Sequence, residues 1–312
     1  MDLRQLHYFI AVVETGTFTG AAARVHVAQS GVSAQIKALE HELGQPLFER
    51  RPRTVVLTAA GDALLPHARA ALAALDAGRG AIDALTGLLR GHVAVGSISS
   101  ISPRSIDLPE TLASFHRAHP GVDISLIEDS AAGLVRRLRE GVLDVAFTSL
   151  IDETVTGLHT RELHRERVVA VLLPSDPLAL EAALPLSVLS DRPLIALPEG
   201  SGLRWQLDRA LAKAGVRARI AFEAGSPDIL VMMVEKGLGM ALVPESALAH
   251  NDRVVSVPVP ELPAGRLGII WLEAVAARPA ARAFIEHTAA LASKRPAAQR
   301  PGSAATPSAA RS

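Results

Sequence analysis

The chain has 312 residues, a formal net charge of zero and no cysteine. This length is enough for two or three domains with hydrophobic cores. Zero net charge argues against a general polycation, so any surface that binds nucleic acid must be a local patch. The missing cysteines exclude disulfides, thiolate metal sites and sensing by thiol oxidation. No secretory signal or membrane-length apolar run is recognised, so we expect a soluble, cytoplasmic protein without a membrane partner.

The N-terminal segment carries three helical patterns in close succession. Apolar residues recur at helical spacing from Leu3, then from Phe18, and again from Val32. Gly16 ends the first pattern, and Thr17 is a suitable N-cap for the second. Two short helices joined by a few residues, with alanines where they must approach closely, indicate a helix-turn-helix.

One face of the third helical pattern is polar and carries small side chains. Gln29, Ser30, Ser33 and Lys37 lie opposite its apolar stripe. Small side chains let a helix enter the major groove of DNA, where Gln can pair with adenine and Ser can bond to bases or phosphates. A solvated helix face would give the same pattern, so this stripe alone leaves both interpretations open.

Arginines follow directly after the third helical pattern. Arg50, Arg51 and Arg53 surround Pro52, and a Val/Leu alternation then leads to Thr58, a candidate N-cap. A short β-wing tipped with arginines would hold the phosphate backbone. An arginine cluster by itself is more often a solvated loop, but its position beside a helix-turn-helix favours the wing.

Residues 1–61 resemble the winged helix-turn-helix of LysR-type transcriptional regulators. The matching pieces are LRQLHYFIAVVETGTFTGAAARVHVAQSGVSAQIKALEHELGQPLFER and LTAAG, in continuous order and spacing. The resemblance implies that the third helix reads the major groove through Gln29, Ser30 and Ser33, and that Arg50 and Arg53 lie in the wing region. It predicts a DNA-binding domain over residues 1–58 and a double-stranded operator as the partner.

The segment departs from the family pattern around the start of the third helix. Ala28, Ser30 and Ala34 stand where the family often has Ser, Pro and Arg. Ala28 is a weaker N-cap, and Ala34 removes a cation from the reading face. These departures concern which operator sequence is bound, and they leave the prediction of DNA binding standing.

An Ala- and Leu-rich stretch over residues 59–90 predicts a long linker helix. A helix of roughly 30 residues is roughly 45 Å long and, being apolar on one side, needs a partner surface. The pattern leaves open whether that partner is the same chain or a second copy, whereas the family resemblance implies dimerisation and hence a homodimer or homotetramer. The approximate a/d seam consists of Leu65, Ala68, Leu72, Leu75, Ile82 and Leu89.

From His92 onward, predicted strands alternate with predicted helices. HVAVGSI, VDISLIE and LDVAFTSL are strand-like, and helices are expected over 102–119, opened by Ser102 and Pro103, and over 131–141. A second such unit has helices over 203–214 and 227–236, so both units are expected to contain parallel sheets. We therefore predict an α/β protein in which residues 91–292 form two lobes around a cleft. This domain is similar to the LysR-type effector domain and to periplasmic solute-binding proteins.

Four predicted strands end in turns that carry Ser or Gly and open a helix. Ligands in open α/β sheets bind at the carboxyl ends of strands, and helix N-termini suit a carboxylate or phosphate. Each Ser alone has the simpler role of an N-cap, whereas four such turns around one cleft indicate a site for a small effector, with an anion as one candidate. The predicted effector-binding residues are Ser99, Ser100, Ser130, Ser201, Gly202 and Ser226.

No enzyme motif is recognised, and no catalytic residue, metal or cofactor is predicted. Gly237 and Gly239 lack the third glycine of a dinucleotide loop, and His116 and His119 lack a third metal ligand. Residues 293–312, rich in Pro, Ala and Ser, are expected to form a disordered tail. The leading hypothesis is a DNA-binding regulator controlled by a small effector. The alternative, a small-molecule binding protein without DNA-directed function, is disfavoured by the helix-turn-helix.

Overall fold

The structure of the protein, a computed structural model, describes residues 1–51, 54–85, 89–151, 155, 157–248, 251–276 and 278–294. Arg53 of the predicted wing and residues 295–312 of the predicted tail lie outside the described residues.

Three helices form the N-terminal domain, as the sequence predicts: α1 (Leu3–Thr15), α2 (Phe18–Arg24) and α3 (Gln29–Leu43). Asp2 and Gln5 form a reciprocal capping box on α1, and Thr17 accepts the backbone N–H of Gly20 at the start of α2. Ala28 gives α3 no side-chain cap. The rings of Phe9, Phe18 and Phe48 meet at centroid distances of 5.3 and 5.9 Å, which fixes the helices around one small core.

A two-stranded antiparallel wing follows, made of β1 (Phe48–Arg51) and β2 (Thr54–Leu57). Oε1 of Glu40 on α3 accepts the backbone N–H groups of Leu47 and Phe48 at 2.8 and 3.3 Å. Gly61, in the next helix, passes so close that a Cβ there would lie 2.3 Å from the carbonyl oxygen of Leu47. The wing is therefore held to the third helix and to the linker.

The linker helix α4 (Ala59–Leu85) is shorter than the predicted 59–90, and residues 86–88 lie outside the described residues. Its predicted seam divides into two parts. Leu65 and Ala68 are buried in the core of their own N-terminal domain, whereas Leu75 and Ile82 are 39% and 66% exposed. Leu89 lies beyond the helix and packs on the core of the first lobe. Only the second part of the seam is thus left for a partner subunit.

The first lobe is a five-stranded sheet in the order β4-β3-β5-β12-β6. Strand β3 is parallel to β4 and β5, as predicted, and β12 is antiparallel to both of its neighbours. The strands are β3 (Gly91–Ser97), β4 (Val122–Glu128), β5 (Val145–Ser149), β6 (His159–Glu166) and β12 (Gly265–Trp271), and the helices are α5 (Leu108–Ala118), α6 (Ala131–Arg139), α9 (Glu273–Ala276) and α10 (Pro279–Lys294).

The second lobe repeats this plan with the strand order β11-β7-β10-β8-β9. Its strands are β7 (Val168–Leu172), β8 (Pro193–Ala196), β9 (Arg219–Glu223), β10 (Met240–Pro244) and β11 (Val255–Pro258), and its helices are α7 (Gly202–Ala214) and α8 (Pro227–Glu235). The chain passes between the lobes through Arg167 and again through residues 259–264. In the described part of the chain, no helix combines the length and apolar character needed to cross a membrane.

Three local features differ from the predictions. Helix α5 begins at Leu108 and not at residue 102, because Asp107 caps it by accepting the backbone N–H of Glu110 at 2.9 Å. The Ser102 hydroxyl instead accepts the N–H of Arg104 within a turn. Strand β6 was not predicted, because its residues HTRELHRE are mostly polar at the edge of the sheet. Helix α10 continues through Lys294, past the predicted start of the tail.

Candidate DNA-binding face and effector cleft

The third helix presents the predicted polar face to solvent. Gln29, Ser30 and Lys37 are exposed and Ser33 is half-buried. On the opposite side Val32, Ile36 and Leu39 are at most 1% exposed and pack into the N-terminal core. The helix therefore offers a narrow polar surface on a rigid support, the arrangement that a major groove accepts.

In the wing, Arg50 lies in β1 opposite Val55 of β2. The next pair in this register, Arg51 with Thr54, is the last one of the ladder. The backbone of the wing is thus consistent with the sequence prediction, whereas Arg53 is not among the described residues.

The linker helix also contacts the first lobe. Nη1 of Arg69 donates to the carbonyl oxygen of Glu140, just after α6, at 3.2 Å. Burial lowers the pKa of Arg69, and the charges of Glu14 and Glu140 only partly oppose this effect. Because Glu14 belongs to the N-terminal domain and Glu140 to the first lobe, Arg69 lies between the two parts that must communicate in a regulator.

A cavity lies between the lobes, at the carboxyl ends of β5 and β8 and beside the start of α7. It holds about 40 Å³ of space, which suits a few water molecules. Two of the predicted effector-binding residues, Ser100 and Gly202, line it. The other lining residues are Ser105, Ser149, Glu166, Val168, Leu197, Leu203, Gln206, Pro227, Pro244, Gly265, Arg266 and Leu267.

The remaining predicted serines stand outside this cavity wall. Ser130, Ser201 and Ser226 are the N-caps of α6, α7 and α8. In each case the serine hydroxyl accepts the backbone N–H of the residue three positions later in the chain, at 3.1, 3.4 and 3.4 Å respectively. Ser99 is exposed beside Ser100. The structure therefore brings Ser100 and Gly202 together and gives three of the other hydroxyls a role in helix capping.

The two lobes touch at Ser149 and Gly202. A Cβ added to Gly202 would lie 2.3 Å from both Cβ and Oγ of Ser149, so only glycine permits this approach. Ser149 is not among the residues predicted from the sequence, although its place at the end of a predicted strand was a usable signal. The contact closes the cleft, which explains why the cavity is so small.

Glu166 forms a polar bridge where the chain leaves the first lobe. Its Oε1 accepts the hydroxyl of Ser105 at 2.6 Å, and its Oε2 accepts the backbone N–H of Ser246, in the second lobe, at 2.9 Å. Nε2 of His164 lies 3.1 Å from Oε1, within ion-pair distance but outside regular hydrogen-bond geometry. Burial opposes ionisation of Glu166, but contacts with His164, Ser105 and Ser246 outweigh it and hold its pKa below the usual range.

Two arginines near the cleft are already paired. Arg204, 8% exposed, donates to Asp208 at 3.0 Å, to Glu223 at 2.6 Å and to the carbonyl oxygen of Leu197 at 3.2 Å. Burial opposes its charge, but Glu223 and Asp208 outweigh this and raise its pKa. In the lining itself, Nε of Arg266 donates to Glu162 at 2.8 Å. Glu162 is shared, because Arg165 also donates to its carboxylate at 2.8 and 3.0 Å. Across the described ranges, no three His, Asp or Glu side chains are grouped to hold a metal ion.

A winged helix-turn-helix, joined by a long helix to a two-lobed α/β domain with a polar cleft, defines the class of ligand-responsive DNA-binding regulators. Family models agree with this assignment. Residues 3–62 match the bacterial regulatory helix-turn-helix protein, lysR family, and residues 86–293 match the LysR substrate binding domain. The chain belongs to the LysR family of transcriptional regulators, whose members bind operator DNA and small effectors and form oligomers.

Relatives and solved structures cover between 78% and 92% of the chain. A probable hydrogen peroxide-inducible genes activator of Mycobacterium avium is 40% identical over 244 residues, which are 78% of each protein. The transcriptional dual regulator GltC of Bacillus subtilis is 31% identical, over 92% of this chain and 96% of GltC. Full-length OxyR from Pseudomonas aeruginosa aligns with a TM-score of 0.75 and 26% identity, over 92% and 94% of the two chains. Full-length CbnR complexed with its target DNA aligns at 0.61 and 26%, over 92% and 99%.

Proposed function

We propose that α3 reads the operator through Gln29, Ser30, Ser33 and Lys37, while the wing arginines Arg50 and Arg53 contact phosphates. The observation that supports this most is the division of α3 into a buried apolar side and an exposed polar side, next to the wing. Base edges in the major groove are read by such polar side chains, whereas arginines on a flanking loop supply affinity for any sequence. The protein acts where chromosomal DNA is accessible, in the cytoplasm.

We further propose that a small effector binds in the interlobe cleft and that Ser100 and Gly202 contact it. An anion, one candidate from the sequence, would find backbone N–H groups at the start of α7. The input is not thiol oxidation, because the chain contains no cysteine; this holds although relatives include probable peroxide-inducible activators. Ligand occupancy would change the angle between the lobes, and the contact between Arg69 and Glu140 offers a route from α6 to the linker helix.

A binding titration with the chain's own upstream DNA tests this function. Fluorescence anisotropy of the full-length protein should show tight, saturable binding to that fragment and weaker, more salt-sensitive binding to a scrambled duplex of equal length. Equal affinity for both duplexes would contradict operator recognition and favour the alternative of a small-molecule binding protein.

Replacing Gln29 with Ala should cost about 1–3 kcal/mol on the specific duplex and little on the scrambled one, because it removes a base contact and no phosphate contact. The matched control is Gln206→Ala, which changes the same residue type in the effector cleft and should leave both affinities unchanged without effector. Gln29 would lose its assigned role if Gln29→Ala weakened binding to both duplexes equally.

A further inference from the structure

A second concave surface, which we call the linker groove, lies between the linker helix α4 and helix α6 of the first lobe. It holds about 620 Å³ of space, within the roughly 300–1,000 Å³ that is usual for ligand sites. None of its lining residues lines the interlobe cavity. They are Asp62, Leu65 and Pro66 on α4 and, on or directly after α6, Ala132, Val135, Arg136, Arg139 and Glu140.

Both walls of the linker groove carry apolar side chains. Leu65 and Pro66 lie on the α4 wall, and Ala132 and Val135 lie on the α6 wall. Ala132 is exposed and Pro66 is half-buried, so part of this apolar surface is in contact with water. Covering it with the apolar part of a ligand would be favourable, because apolar surface gains free energy when it leaves water.

Cationic groups outnumber carboxylates around the linker groove. Arg136 and Arg139 line it. Arg69, on the next turn of α4, donates to the carbonyl oxygen of Glu140 at 3.2 Å and so lies directly beside the groove. These three guanidinium groups are accompanied by two lining carboxylates, those of Asp62 and Glu140.

The carboxylates do not neutralise these cations fully. Nε of Arg136 lies 3.9 Å from Oε1 of Glu140, a long distance for an ion pair, and the Arg136 side chain is 66% exposed. Burial lowers the pKa of Arg69, and the charges of Glu14 and Glu140 do not restore it. Glu14 is also shared, because Arg24 pairs with it at 2.8 Å. A further negative charge in the groove would therefore be stabilised.

We propose that the linker groove is a second ligand site, which binds a small molecule carrying one carboxylate on an apolar body. The carboxylate pairs with Arg136, and the apolar body covers Pro66 and Ala132. Such a ligand touches two parts of the protein at once, because α4 packs into the core of the N-terminal domain through Leu65 while α6 belongs to the first lobe. It fixes the angle between the DNA-binding domain and the effector domain, and it does so independently of the interlobe cleft.

Thermal shift of the full-length protein with matched probes tests the ligand class. Each set keeps one apolar body and changes its polar group: benzoate with benzamide and benzylamine, and hexanoate with hexanamide and hexylamine. At least one carboxylate should raise the melting temperature, by about 3 °C at ten times its Kd, and its amide and amine should not. No rise with either carboxylate, or a rise that the amide or the amine matches, would overturn the inference.

Calorimetry with the carboxylate that binds then locates the site. Ala132→Trp fills the groove with an indole ring and should abolish binding, whereas Ala212→Trp, at an exposed alanine of α7, should keep the wild-type Kd. Arg136→Gln should raise the Kd about tenfold, because it removes a hydrogen bond to a charged group. Its matched control is Arg117→Gln, at a 64% exposed arginine of α5, which should bind normally. Normal binding by both groove variants would place the ligand elsewhere and refute the site.

Two further measurements exclude other occupants and other sites. Ser100→Val, a variant of the interlobe cleft, should keep the wild-type Kd for the carboxylate. If it abolishes binding while Ala132→Trp does not, the carboxylate binds in the cleft and the inference is wrong. Light scattering should give Ala132→Trp the same oligomeric state as the wild type, because a change would show that the groove is a contact between subunits. No DNA is present in these assays, so failure here is distinct from failure of operator binding.

An operator titration tests whether the linker groove is a regulatory input. The carboxylate that binds should change the operator affinity of the wild type by about fivefold or more, and it should leave that of Ala132→Trp unchanged. An unchanged operator affinity, in wild-type protein that binds the carboxylate by calorimetry, would overturn the coupling between the groove and the DNA-binding domain.

Discussion

Replacing Ile82 with Asp is expected to convert the protein to monomers and to weaken operator binding about a hundredfold. Ile82 is 66% exposed on α4, seven residues after Leu75, which is 39% exposed. Side chains spaced by seven recur on one side of a helix and form the seam of a helix pair. An aspartate there would place an unpaired charge in the apolar contact, which is costly. Two linked DNA-binding domains bind far more tightly than one, so monomers lose most of their affinity.

The measurement is light scattering of the full-length protein together with an operator titration. Leu180→Asp is the matched control, because Leu180 is 92% exposed in the second lobe and its replacement introduces the same charge away from α4. Asp and Ile have similar helix propensities, so the Ile82 variant should keep its fold and its far-ultraviolet circular dichroism. An Ile82→Asp protein that remains an oligomer with normal operator affinity would show that α4 does not form the subunit contact.

The linker also shows what hydrophobic periodicity can and cannot predict. The spacing of Val32, Ile36, Leu39 and Leu43 predicted a buried stripe, because a period reports which side of a helix is covered. The first three are buried as predicted, whereas Leu43, at the end of α3, is 40% exposed. The period does not report what covers that side. Leu65 is covered by its own N-terminal domain while Ile82 is exposed, although both fit one seam.

The candidate effector site was predicted only in part, for two physical reasons. A serine in a turn before a helix can either cap the helix or contact a ligand, because both roles use the same hydroxyl. The sequence therefore could not distinguish Ser201, which caps α7, from Ser100, which lines the cavity. Ser149 and Glu166 reach the cleft through long-range folding. Glu166 in particular ends an edge strand whose polar sequence carries no alternating signal.

Replacing Glu166 with Gln is expected to lower the free energy of unfolding of the effector domain by about 2 kcal/mol near neutral pH. The glutamate accepts hydrogen bonds from the Ser105 hydroxyl and the Ser246 backbone N–H, and its carboxylate lies 3.1 Å from His164 Nε2. A glutamine removes the charge and turns an NH₂ group toward one of these donors. Because these hydrogen bonds join the first lobe to Ser246 in the second lobe, amide hydrogen exchange should also become faster around Ser246.

The pKa of Glu166 determines how the stability effect of Glu166→Gln should change with pH. Burial raises the pKa of Glu166, but contacts with His164, Ser105 and Ser246 outweigh that effect and lower it below the usual value. A lowered pKa contributes stability above the unfolded-state pKa of about 4.3, and this contribution is lost as the pH falls through the folded-state pKa. The difference in free energy of unfolding between wild type and Glu166→Gln, measured by urea unfolding, should therefore be largest at pH 7 and decrease steadily as the pH falls. Glu128→Gln, a change at an exposed glutamate, should show little difference from wild type at any pH. If the difference in free energy of unfolding between wild type and Glu166→Gln stayed constant at low pH, the charge of the carboxylate would not be what holds the lobes together.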